Sequence, residues 1–115
     1  MNDVNLIGRL TRDPAVRYTN EGLAVASFTL AIDRLSSKDE TDYPRITVFG
    51  KQAELCERYI HKGSQVGIHG RITTGSYINK DGQKVYTTGV TADRVEFLGK
   101  GGADHAEPAE YKWPD

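Results

Sequence analysis

The chain has 115 residues, a formal net charge of −1, one cysteine and 37% hydrophobic residues. That length fits one domain with a single core; no apolar run approaches the roughly 20 residues that span a bilayer, and Met1-Asn2-Asp3-Val4 lacks the basic-then-apolar order of a signal peptide. A lone Cys56 excludes an internal disulfide and agrees with a reducing, cytoplasmic compartment.

In chain order, Val4-Asn5-Leu6-Ile7-Gly8-Arg9-Leu10 alternates, with Val4, Leu6 and Leu10 on one face, and reads as a strand. Asp13-Pro14 interrupts pairing because proline has no donor, and Val16-Arg17-Tyr18 resumes it up to the Asn20-Glu21-Gly22 turn. Ala24 to Asp33 is a long second strand, with Ala24, Ala26, Phe28, Leu30 and Ile32 facing the core and Ser27, Thr29 and Asp33 facing away. Leu35 to Asp42 is polar, lacks periodicity and reads as a hairpin tip. In the third strand, Arg45 to Phe49, Ile46 and Val48 face the core, which puts Tyr43, Arg45, Thr47 and Phe49 on the opposite side.

From Lys51 to His61 the apolar residues fall at helical spacing, Leu55 with Tyr59 and Cys56 with Ile60, and Lys62-Gly63 ends the helix. From Gln65 the period returns to two. Val66, Ile68 and Ile72 share one parity with Gly70, while His69, Arg71, Thr73 and Tyr77 share the other. Asp81-Gly82 marks a hairpin. Gln83 to Thr88 returns from it, and Val90 to Leu98 is the last strand. Gly99 to Asp115 is rich in Gly, Ala, Pro and acids and has the composition of a disordered tail. Three strands, a short helix and two strands in a long hairpin predict an all-β fold: a five-stranded Greek-key barrel, the OB-fold, with the helix between strands three and four. The domain spans residues 1–99 and a flexible acidic tail spans 100–115.

The net charge at first argues against a nucleic-acid partner. Residues 1–98, however, hold 13 Lys and Arg against 12 Asp and Glu, whereas residues 99–115 hold two against four. A near-neutral domain binds phosphate if its cations share a face. Tyr43, Arg45, Thr47 and Phe49 make such a face, mixing aromatic surface for stacking with cationic charge for phosphates. Arg71, Thr73 and Tyr77 repeat the pattern, and the hairpin adds Lys80, Lys84 and Tyr86. The residues alone leave a second reading open, in which Phe49 packs in a subunit interface and Tyr77 and Tyr86 form an ordinary cross-strand pair.

Phe49-Gly50-Lys51-Gln52-Ala53-Glu54, Tyr59 to Val66 and Gly70-Arg71 resemble, in order and spacing, the bacterial single-stranded DNA-binding protein family. So do Val4 to Leu10 with Asp13-Pro14 and Arg17-Tyr18, Val25-Ala26 to Ala31, Tyr86-Thr87-Thr88 and Phe97-Leu98-Gly99. The resemblance covers about residues 1–99. It implies an OB-fold, a homotetramer and bases stacked on Tyr43, Phe49 and Tyr77. Tyr43 and Tyr77 stand where tryptophan is common in the family, which implies weaker binding per base. The 35–42 hairpin is shorter than the family's and has no aromatic. Pro44 replaces a frequent histidine associated with subunit contacts. The terminus, Glu110-Tyr111-Lys112-Trp113-Pro114-Asp115, lacks the family's final phenylalanine, as in a short-tailed paralogue or a phage or plasmid version. Recruitment of replication or repair proteins by the tail is therefore not carried over.

The expectation is sequence-independent binding and protection of single-stranded DNA in replication, recombination or repair, in the cytoplasm on the nucleoid. Tyr43, Phe49, Tyr77 and Tyr86 would stack, and Arg45, Arg71, Lys84, Arg9, Arg17, Lys51 and Lys80 would hold phosphates. No enzymatic turnover and no cofactor are expected. His61, His69 and His105 lack metal-ligand spacing with Cys56, so no metal is expected either. The alternative is a protein-interaction OB module, such as a primosomal accessory factor, whose aromatics bury against a partner chain.

Overall fold

The computed structural model describes residues 1–99, so the tail expected over 100–115 lies outside the described residues. In order, the elements are β1 (Val4–Leu10), β2 (Ala15–Tyr18), β3 (Ala24–Arg34), β4 (Ser37–Asp42), β5 (Arg45–Phe49), α1 (Lys51–Tyr59), β6 (Gln65–Ile78) and β7 (Lys84–Gly99). β1 pairs β6, β6 pairs β7, β7 runs parallel to β5, β5 pairs β3, and β3 returns to β1. That circuit is the predicted five-stranded barrel, with α1 between its third and fourth members. β2 and β4 are extra strands that extend β3, one at each end.

The alternating residues do what their parity predicts. Leu30, Ile46, Val48, Val66, Ile68 and Val95 are fully buried inside the circuit. Ala53, Cys56 and Ile60 of the helical segment bury against it. A nine-residue helix is marginal alone, and this packing is what holds it. Gly50 opens it at φ 76°, a conformation glycine reaches without strain. Its carbonyl accepts from the Ala53 and Glu54 N–H groups, and its own N–H donates to Ala24.

Three expectations change. The polar segment 35–42 is mostly strand: only Leu35 and Ser36 form the turn. The Arg34 guanidinium forks onto Asp42 and Glu40 at 2.9 Å each, and the Thr41 hydroxyl donates to Asp33. Polar cross-strand contacts hold a strand that no apolar alternation announces. Second, residues 83–98 do not break at Gly89, and β7 runs unbroken from Lys84 to Gly99. Third, the helix stops at Tyr59, two residues early, because Ile60 is already extended. Ile72 has core parity yet is half exposed, because the far part of β6 and β7 projects beyond the barrel as a free two-stranded arm.

Closure depends on missing side chains. β1 leaves β6 for β3 near Gly8, where a Cβ would sit 2.8 Å from the Ala31 carbonyl oxygen. On β6, a Cβ on Gly70 would overlap the Thr91 carbonyl oxygen and approach Ala92 Cα to 2.9 Å. The register shifts there: His69 faces Arg94 but Gly70 faces Ala92, leaving Asp93 as the extra residue of a β-bulge. Backbone cannot rotate out of the way as a side chain can. Gly70→Ala is therefore expected to lower stability by about 3 kcal/mol, the upper end of overpacking costs. Gly75→Ala, which meets only the Thr87 hydroxyl at 3.4 Å, is expected to stay within about 0.5 kcal/mol. Denaturant unfolding of the two variants checks the contrast.

Cys56 is fully buried on α1, and burial pushes its thiol up to about 12. The thiolate is the reactive form. A disulfide reagent at pH 8 is expected to leave the folded protein unmodified and to titrate one thiol after denaturation. Rapid labelling of the native protein would contradict this burial.

Candidate nucleic-acid interface

The outer surface of β2, β3, β5, β7 and β6 forms one continuous face, and register fixes what stands beside what. Arg17 pairs with Val25 and Val25 with Phe49, making one outward row. Val25 is only 4% exposed although it points outward, as expected for a valine flanked by a long arginine and a phenylalanine. The next row runs Ala15, Ser27, Thr47, Thr91, Arg71. Beyond it Thr29 pairs with Arg45, and Gly89 pairs with Thr73. A Cβ on Gly89 would lie 3.4 Å from the Arg45 carbonyl oxygen, so β5 and β7 approach closely here.

Tyr43, Phe49 and Tyr77 are 63%, 47% and 55% exposed, large enough areas to stack on. Tyr43 enters from the segment before β5, which is anchored by the Leu30 N–H donating to the Pro44 carbonyl. Two open grooves meet at Arg45. One, of about 670 Å³, is lined by Arg12, Ser27, Thr29 and Tyr43 among others. The second, of about 330 Å³, runs along Thr47, Thr73, Thr88 and Gly89. Hydroxyls, a central guanidinium and flanking aromatics give a track that offers donors to phosphate oxygens and flat apolar faces to bases.

The cations differ in freedom. Arg45, Arg17 and Lys51 have no acidic partner among the described residues. Arg71 Nη1 donates to Asp93 at 2.9 Å. Arg9 donates to the Gly63 carbonyl at 3.0 Å, which ties it to the segment after α1. Arg34 is held by Asp42, through both hydrogen bonding and charge, and by Glu40; these raise its affinity for its proton and tie it into the hairpin.

The arm divides the remaining candidates. Tyr77 pairs with Val85, whereas Tyr86 pairs with Ser76 and Lys84 with Ile78. Residues directly opposite share a face and neighbours along a strand do not. Tyr77 thus continues the Arg71 face, while Tyr86 and Lys84 lie on the reverse of the ribbon. The Tyr77–Tyr86 cross-strand pair of the alternative reading does not form. Instead Lys84 Nζ sits 5.4 Å from the Tyr86 ring centroid, a cation–π contact that covers one face of that ring. Lys80 is exposed in the turn. There the Asn79 side chain accepts from the Asp81 and Gln83 N–H groups, and Gly82 takes φ 79°.

Two contributors escaped the sequence reading. Arg12 lines the larger groove from the break between β1 and β2, where no periodicity exists to place it. Gln52 clamps the bulge: its Nε2 donates to the Asp93 carbonyl at 2.7 Å and its Oε1 accepts from the Val95 N–H at 2.8 Å. That clamp gives the Gly50-Lys51-Gln52 run a structural meaning. Glycine turns the chain, and glutamine bonds two backbone groups of β7 just beyond the end of its pairing with β5.

A family model described as the single-strand binding protein family matches residues 1–98. A Staphylococcus aureus protein named single-stranded DNA-binding protein 1 is 49% identical over 102 residues, covering 85% of this chain and 65% of the relative. Clostridium acetobutylicum single-stranded DNA-binding protein 3 is 49% identical over 109 residues, 91% of this chain and 76% of the relative. A Clostridium tetani single-stranded DNA-binding protein is 52% identical over 102 residues, 85% and 70% respectively. The match thus spans just under two thirds of the staphylococcal relative's length.

Proposed function

The chain belongs to the single-strand binding protein family, and from that membership we propose that it binds single-stranded DNA without reading sequence and without turnover. The strand follows the outer face: bases stack on Tyr43, Phe49 and Tyr77, and phosphates meet Arg45, Arg71, Arg17, Arg12 and Lys51. The observation that carries this reading is the face itself, with three half-exposed aromatics interleaved with guanidinium groups and threonines on one side of a closed barrel. The names of the relatives favour it over a protein-interaction module. Tyr86 and Lys84 join only if the strand crosses to the reverse of the arm, Lys80 only if it reaches the turn at the arm's tip, and Arg9 is tied to the Gly63 carbonyl.

The same reading includes a homo-oligomer, a tetramer by family resemblance. Its support is a second outer face, on β1 and the barrel parts of β6 and β7. Ile7 there is 59% exposed and Leu98 43%. Gly67 lies between them, paired with Ile7, and leaves the surface flat. The edge of β1 from Val4 to Gly8 pairs with β6 on one side, while its pairing with β3 begins only at Arg9. An apolar patch beside a free strand edge is a usual place for a second copy to add.

Titration with oligo-dT at several salt concentrations tests the function. Affinity is expected to fall with salt with a slope of about 0.7 per phosphate contacted, and a duplex of equal length to bind far more weakly. Phe49→Ala and Tyr77→Ala are each expected to lose about 1–3 kcal/mol of DNA binding while keeping the wild-type unfolding midpoint and sedimentation coefficient. Equal affinity for duplex, or loss of assembly before loss of DNA binding in Phe49→Ala, would overturn the reading.

A further inference from the structure

The bulge on β7 does two things to Asp93. Its main chain is fixed, because Gln52 bonds both the Asp93 carbonyl and the Val95 N–H. Its side chain turns to β6, where Oδ1 accepts from Arg71 Nη1 at 2.9 Å. Both members of this pair stay open to solvent, Arg71 at 49% and Asp93 at 62% exposure. An exposed ion pair contributes little to folding, so stability does not account for its position. What distinguishes it is place. Arg71 ends the outward row of Ser27, Thr47 and Thr91, on the track assigned to the DNA. A carboxylate oxygen facing a guanidinium N–H makes the same charge-assisted contact as a phosphate oxygen.

Resting on the DNA-binding reading above, we propose that Asp93 is an internal stand-in for a DNA phosphate. It occupies Arg71 in the free protein and must be displaced when a strand binds. Arg71 then contributes only the difference between two similar ionic contacts. The clamped backbone keeps the displaced carboxylate beside the strand as a repelling charge. Arg45, with no acidic partner among the described residues, carries no such restraint. Asp93 is thus a residue that sets affinity downward without touching the bases.

Asp93→Asn keeps the size and removes the charge. It is expected to bind oligo-dT about two- to fivefold more tightly at low salt, the range for one exposed pair, with a salt slope steeper by up to about 0.7. Arg71→Ala is expected to cost little in the wild-type background and distinctly more beside Asp93→Asn, which a purely structural role for Asp93 would not produce. Asp93→Ser repeats the test without an amide that can still accept from Arg71, and unfolding midpoints report the fold of each variant. Unchanged or weaker binding by both folded Asp93 variants, or an equal cost of Arg71→Ala in the two backgrounds, overturns the proposal. Failure of the underlying reading looks different: wild-type protein would then fail to prefer oligo-dT over duplex.

Discussion

Everything in this molecule depends on closing a short sheet on itself. A barrel of five strands has a narrow interior, and strands that switch partners must pass backbone to backbone. Gly8 and Gly70 are where this happens, and at neither is there room for a methyl group. At Gly70 the close approach coincides with the bulge, which adds one residue to β7 and bends it. Gln52 at the start of α1 braces the strand there, bonding the Asp93 carbonyl and the Val95 N–H. The helix is thus more than a plug on the core. It fixes the geometry of the strand that carries Asp93, and through Asp93 the resting position of Arg71. Barrel closure and the candidate binding face are consequences of the same backbone path.

Parity explains how much of this was legible. Along a single strand the two-residue period is rigid, so Ile46 and Val48 inside required Arg45, Thr47 and Phe49 outside, and the structure follows. The same logic placed Ser27 and Thr29 against Ala26 and Phe28. It fails where register passes from one strand to another. Tyr77 and Tyr86 both look outward when each segment is taken alone, but the Asn79–Gln83 turn pairs Tyr77 with Val85, so the tyrosines take opposite faces. The bulge defeats parity in the same way: Asp93 follows Ala92 in sequence, yet the extra residue breaks the one-to-one pairing on which the count depends. Arg12 and the polar strand β4 were hidden for another reason. One lies in a break and the other is held by Arg34 and its carboxylates, and neither carries an apolar period to detect.

The near-neutral charge, which first argued against nucleic acid, has a structural explanation. Many of the cations are already engaged: Arg34 by Asp42 and Glu40, Arg71 by Asp93, Arg9 by a carbonyl, Lys84 by a ring. Among the described residues, few remain free on the outer face. If Arg45, Arg17, Arg12 and Lys51 each take one phosphate, the salt slope is roughly 2.8, and a fourfold rise in salt weakens binding about 50-fold. Three stacked bases add roughly 1–3 kcal/mol each. On the proposed reading, a surface built this way holds a single strand by its bases as well as by its phosphates. Duplex DNA hides its bases and offers mainly phosphates, so on that reading the scarcity of free charge would itself discriminate against it. The neutralised arginines and the neutral sum thus belong with the exposed aromatics: a strongly basic face would bind either form of DNA, while the face proposed here would favour the form whose bases can be stacked.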